Sequence, residues 1–177
     1  TNLASAPAYG RPGVLLTGAT GFLGGYLLKE LVERTEMPIY CLTRSDGTLG
    51  VRARLMDNLH FLFGAGAEMA NELGIKTEAA HWNKLKSQLP DFDLDNEGSL
   101  TFAKGFPYNA SHRHFSHALA IHPLGIIDWS DGEKAQRIIR ATLKKMNDYG
   151  PDYWTGYTYS WFANMQARAF NGEEAAK

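Results

Sequence analysis

At 177 residues the chain is long enough for one sizeable core or two small, marginal ones. Its 44% hydrophobic and 21% charged residues are ordinary for a soluble globular protein, and a net charge of −1 gives no electrostatic ground for a nucleic acid or an anionic membrane as partner. Cys41 is the single cysteine, which excludes a disulfide framework and a thiolate metal site; inside its apolar run it reads as a structural thiol. No apolar run is long enough to span a bilayer, and the N-terminal residues are not a basic segment followed by an apolar one, so the expectation is a soluble chain of unknown compartment.

Residues 1–12, rich in Ala, Pro and Gly, read as a linker. Val14 to Thr17 is a short apolar run bounded by Gly13 and Gly18, the pattern of a buried parallel strand. The run Thr17-Gly18-Ala-Thr-Gly21-Phe-Leu-Gly24 follows, then a helical stretch in which Leu27, Leu28, Leu31 and Val32 mark one face. Pro38 to Arg44 is a second strand, which completes a βαβ unit over residues 13–55. Gly18 allows a tight turn, Gly21 lets the backbone lie against a pyrophosphate, and Gly24 lets the helix pack on the strand. The helix N-terminus offers unpaired N–H groups and a positive dipole end to phosphates. A basic Arg44 beside Thr43, where an acid would bind the ribose 2′-OH of NAD, suits the 2′-phosphate of NADP. The competing readings are a glycine turn kept for packing and an arginine at a solvated strand end.

The segments TGATGFLG and IYCLTR make residues 13–50 resemble the NADP-binding start of extended short-chain dehydrogenases, and of thioester reductase domains in particular. The resemblance implies a Rossmann-like fragment holding NADP(H) with Thr17, Gly18, Thr20, Gly21, Phe22, Leu23, Gly24 and Arg44. That family's catalytic Tyr-x-x-x-Lys pair is missing, since no tyrosine here has a lysine four residues later. No further apolar strands follow to extend a sheet, so a complete reductase is not expected.

From Leu55 onward the apolar period is helical. Leu55, Leu59, Leu62 and Phe63, then Met69, Ala70 and Leu73, line one face, with a break expected at Gly64 and Gly66 and a cap at Gly74. Thr77 is the expected N-cap of a helix running to Leu89, with Trp82 and Leu85 inward. The acidic run Asp91-x-Asp93-x-Asp95 misses the spacing of a calcium loop and reads as a solvated turn. Glu133 to Tyr149 is an amphipathic helix with the stripe Ala135, Ile138, Ile139, Leu143 and Met146. Trp154 to Phe170 reads as another, whose early aromatics Trp154 and Tyr157 can either line a pocket or join the core.

Between these helices lies Asn109 to Pro123, which carries four of the six histidines: His112, His114, His117 and His122. Clustered imidazoles hydrogen-bond hydroxyls, ligate metals or move protons, so the stretch is a candidate pocket wall. Its alternative is a polar loop whose histidines satisfy buried backbone groups. Zinc is disfavoured, because no carboxylate stands at a recognised offset from His112-x-His114-x-x-His117.

Read together, SHRHFSHALAIHPLGIID and GPDYWTGYTYSWFANMQARAFNGEEA make residues 57–177, within a helical segment 56–177, resemble the C-terminal part of glycoside hydrolase family 95, the inverting α-L-fucosidase group among six-hairpin glycosidases. The resemblance implies an all-α segment forming part of an (α/α)6 barrel. It also implies His112, His114 and His117 on sugar hydroxyls and Trp154 as a stacking wall, with no cofactor and no metal. An inverting hydrolase needs an acid facing a base, and the family's acid belongs to a segment upstream of the histidine block. With only about five helices recognisable, the expectation is a catalytically incomplete, carbohydrate-active fragment joined to a nucleotide-binding one. The alternatives are an NADP(H)-dependent reductase-like protein and a non-enzymatic chimeric assembly. Surfaces that either fragment leaves uncovered would favour self-association.

Overall fold

The computed structural model describes residues 12–42 and 48–177. The chain divides into two compact units, Thr1–Thr43 and Arg44–Lys177. Thr43 and Arg44, the expected readers of the 2′-phosphate, lie outside the described residues, as do residues 1–11.

The first unit contains β1 (Val14–Thr17), α1 (Phe22–Arg34) and β2 (Ile39–Leu42). The strands pair in parallel with Val14 opposite Ile39 and Thr17 opposite Leu42. Parallel strands need a crossover, and α1 supplies it. Leu16, Ala19 and Leu28 are buried, but the expected apolar face of α1 is only half used: Leu27 and Val32 stand exposed. Two strands are too narrow to cover the full stripe of a helix. Leu15 and Leu42 are exposed too. Cys41 is half-buried, and burial raises its thiol pKa, so it is no activated nucleophile.

The second unit opens with α2 (Thr48–Glu72) and α3 (Lys76–Ser87). The expected break at Gly64 and Gly66 is absent; α2 runs through both. The reason is across the interface: a Cβ on Gly66 would lie 2.7 Å from the Trp82 ring. Gly66 therefore lets α3 approach, and the helix tolerates the propensity cost of both glycines because it is packed. Gly74 does end the helix, with Ile75 N–H reaching Ala70 O at 2.8 Å in the manner of a Schellman turn. Helix α3 starts one residue before the expected cap Thr77, with Ile75 at the cap position and no side-chain hydrogen bond there.

A short antiparallel pair, β3 (Thr101–Ala103) with β4 (Phe106–Pro107), follows the acidic turn. In that turn Asp95 accepts from the amides of Glu97 and Ser99 at 2.9 and 3.0 Å and pairs with Lys145. The histidine segment then leads through single turns to α4 (Glu133–Tyr149), α5 (Gly156–Arg168) and a last turn, α6 (Gly172–Ala175). The bounds of α4 are those expected. Its stripe of Ala135, Ile139, Leu143 and Met146 packs with Phe162, Met165 and Ala169 of α5 and its C-terminal end, and with Tyr108, Phe115 and Ile121, into one core.

Candidate functional site

The histidine segment is fixed by a few bonds of long sequence separation. Ser111 donates its hydroxyl to Gly150 O (2.7 Å) and accepts the Tyr153 amide (3.1 Å), which joins the start of the segment to the end of α4. Thr158 of α5 donates to Arg113 O at 2.9 Å, and the Trp161 indole donates to His122 O at 2.9 Å. Phe115 is fully buried, with Trp154 and Trp161 edge-on to it at centroid distances of 5.4 and 5.8 Å. A few side-chain bonds and an aromatic anchor thus hold a loop that has no regular ladder of its own.

The segment has two faces. On the outer one, Ser111, His112, Arg113, Asp152, Tyr153, Trp154 and Thr155 line an open pocket of about 550 Å³. The His114 amide donates to His112 Nδ1 at 3.0 Å, and the same ring nitrogen lies 3.2 Å from His114 O. The Arg113 Nε–H donates to His114 Nε2 at 3.1 Å, so the neutral His114 ring carries its proton on Nδ1. The pocket therefore combines cationic and imidazole donors, one carboxylate at Asp152 and two aromatic faces. Such a set offers donors and an acceptor to hydroxyl groups and rings to apolar C–H faces.

On the inner face, His117 is 2% exposed and lines a separate cavity of about 40 Å³ with Asp57, His60, Phe92, Thr101 and Phe102 among its walls. Burial, aided by the nearby His112, pushes the His117 imidazole down to about 3. Burial pushes the Asp57 carboxyl up to about 8, although the Ala120 amide hydrogen-bonds to it.

Of the residues expected to hold a sugar, the structure brings His112 and Trp154 to one pocket and places His114 beside it. His117 faces inward instead, and Tyr157 stands 76% exposed outside the pocket walls, edge-on to Trp161. Arg113, Ser111, Asp152, Tyr153 and Thr155 were not among the expected residues. Arg113 had a signal, since it lies between two of the histidines; Ser111 is joined to the 150–155 stretch through its bonds to Gly150 O and from the Tyr153 amide. Among the described residues, no three His, Cys, Asp or Glu side chains converge to hold a metal ion.

In the first unit, Gly18 has φ +71° and Gly21 N–H donates to Gly18 O at 2.9 Å, closing the turn before α1. A Cβ at Gly24 would lie 1.9 Å from Gly18 O, so only glycine fits there. Gly21 is the N-cap of α1 and has no side chain to bond the first amides. Leu23 points outward, 70% exposed. Thr17 ends β1 and Thr20 lies in the turn, while Phe22 opens α1. The turn leaves helix N–H groups available to an anion, the arrangement that a dinucleotide pyrophosphate uses.

Comparison with known families follows this division. The catalytic-domain model of glycosyl hydrolase family 95 matches residues 48–177. The chain belongs to glycoside hydrolase family 95. A second model, described as male sterility protein, matches residues 16–71. The chain is thus a mosaic of a family 95 segment and a reductase-type nucleotide-binding segment, and the two matches overlap within α2. Alpha-L-fucosidase 2 of Arabidopsis thaliana is 30% identical over 92 residues, 51% of this chain and 10% of that protein. A linear gramicidin synthase of Brevibacillus parabrevis is 48% identical over 61 residues, 32% of this chain and 1% of that protein. Glycine betaine reductase ATRR of Emericella nidulans is 51% identical over 51 residues, 26% of this chain and 4% of that protein. The chain therefore spans a tenth or less of the length of each of these relatives. Among the described residues no helix is long and apolar enough to cross a membrane.

Proposed function

We propose that the second unit is a carbohydrate-binding piece of an (α/α)6 glycosidase barrel that takes an α-L-fucoside in the pocket of His112, Arg113 and Trp154. The observation that carries this reading is the convergence of two hydrogen-bonding cations or imidazoles, a carboxylate and two aromatic rings on one open pocket. Family membership and the likeness to a fucosidase support the sugar class. The pocket walls hold a single carboxylate, Asp152. Inverting hydrolysis needs two carboxyl groups about 6.5–9.5 Å apart, so in this reading the described pocket is a binding site that is catalytically incomplete. In this reading His114 orients Arg113, Trp154 supplies a stacking wall, and His117 acts from behind the loop. Methyl α-L-fucoside titrated into the full chain tests it: saturable binding with no fucose released is expected, and absence of binding overturns it.

A second reading is favoured by the glycine turn. The first unit binds a nicotinamide dinucleotide with its pyrophosphate at the start of α1, contacted by Thr17, Gly18, Thr20, Gly21, Phe22, Leu23 and Gly24. The match to a reductase-type model supports a nucleotide cofactor, and Arg44 makes NADP(H) the preferred one. A larger thermal shift with NADP⁺ than with NAD⁺, lost in Arg44→Ala, checks the preference. Exposed Leu15, Leu23, Val32 and Leu42 also favour self-association, which light scattering across a concentration series measures.

A further inference from the structure

Neither the sugar pocket nor the glycine turn makes use of the inner cavity. Asp57, on α2, and His117, in the single turn Ser116–Ala118, both line it and are 3% and 2% exposed. The Ala120 amide serves the Asp57 carboxyl. Even so, Asp57 Oδ2 and both ring nitrogens of His117 meet no hydrogen-bond partner among the described residues. Tyr108 stacks on the His117 ring and Phe102 packs against it at a tilt, with centroids at 4.8 and 4.7 Å.

Buried polar atoms carry their full desolvation penalty when nothing pairs with them. A water needs about 10–15 Å³ of such space and two to four polar partners. A cavity of about 40 Å³ has room for roughly two or three waters, and two of its wall residues, Asp57 and His117, carry three unpartnered polar atoms between them. We propose that this cavity is an internal hydration site whose ordered water bridges the Asp57 carboxyl to the His117 imidazole and so ties the histidine segment to α2.

The chemistry of the walls selects water over a cation. Arg52 and His60 of α2 border the cavity, with Asp91 and Asp93 from the segment after α3, and His112 lies close to His117. An added cation would have to sit beside Arg52. Neutral groups fit instead: burial favours the protonated acid at Asp57 and the uncharged ring at His117. The acid's O–H and one ring N–H then both donate to the bridging water, and the other ring nitrogen accepts from a second water. Both residues are positioning residues, since neither is a wall of the outer pocket.

Nitrogen-15 labelling of the histidines in the full chain tests this. His117 should give one neutral tautomer whose ring N–H shows a rotating-frame cross-peak to water. Asp57→Asn should keep both signals, whereas Asp57→Leu should lose the water cross-peak and let the tautomers average. Absence of the cross-peak in the unmodified chain, or its persistence in Asp57→Leu, overturns the proposal. Should Asp57→Leu fail to fold, His117→Gln serves in its place: its side-chain amide must show the same water contact, and a dry amide overturns the bridge.

Discussion

Tyr108 lies against the imidazole of His117, with centroids 4.8 Å apart and planes 24° from parallel, while its hydroxyl accepts the His112 amide at 3.1 Å. One side chain thereby holds the inner face of the histidine segment by its ring and the outer face by its oxygen. Tyr108→Phe keeps the stack and should cost about 1 kcal/mol. Tyr108→Ala should cost about 4 kcal/mol, since it removes a fully buried ring. Urea denaturation of both variants checks the difference; equal losses would mean that the hydroxyl, and not the ring, does the holding.

Asp57 and His117 give opposite pH dependences. The folded carboxyl is raised from 3.8 to about 8, so its contribution to stability is complete below about pH 4 and is lost as pH climbs toward 8. The folded imidazole is lowered from 6.5 to about 3, so its contribution is complete above pH 6.5 and is lost as pH falls toward 3. Between about pH 4 and 6.5 the two slopes cancel. Asp57→Asn should unmask a rise in stability of about 1.4 kcal/mol per pH unit across that window, and His117→Gln a fall of the same size. Denaturation midpoints at five pH values measure this, and two flat profiles would contradict it.

Lys145 and Asp95 form an ion pair whose side chains are only 13% and 11% exposed, with Glu97 a second partner at 3.3 Å. Burial works to raise the Asp95 pKa, but the bonds from Lys145, Ser99 and Glu97 hold it below the ordinary value. Lys145→Met should cost about 2 kcal/mol, between the values for exposed and fully buried pairs. The loss should shrink as acid protonates Asp95. Chemical denaturation at pH 7 and pH 3 gives both numbers.

Gly24→Ala should disable dinucleotide binding, because the new Cβ would sit 1.9 Å from Gly18 O. A ligand at about 100 times its dissociation constant stabilises a fold by roughly 2.7 kcal/mol, a shift of several degrees. That shift with NADP⁺ should appear in the unmodified chain and vanish in the variant.

How much of this is legible in the sequence depends on the range of the interaction. Helix α4 can be read to the residue, since an apolar period and a terminal Gly150-Pro151 act locally. The βαβ order is equally local. Gly64 and Gly66 mislead, because they look like breakers while Gly66 serves a contact with Trp82 in another helix. The histidine block announces itself, yet nothing local tells His112, which faces out, from His117, which faces in. That choice is made by the ring of Tyr108 and by Ser111 reaching Gly150 across 39 positions. Asp152 and Tyr153 join the pocket by the same bond pattern and carry no motif of their own.

The claim that the outer pocket binds a sugar is tested most directly by calorimetric titration of the full chain with methyl α-L-fucoside, beside Arg113→Ala. Arg113 is exposed at the pocket wall and only its carbonyl takes the Thr158 bond, so removing its side chain leaves that anchor in place. Saturable binding that weakens at least tenfold in the variant, a loss of about 1.4 kcal/mol at unchanged melting temperature, is the expected result. No binding by the unmodified chain, or equal binding by the variant, would contradict it.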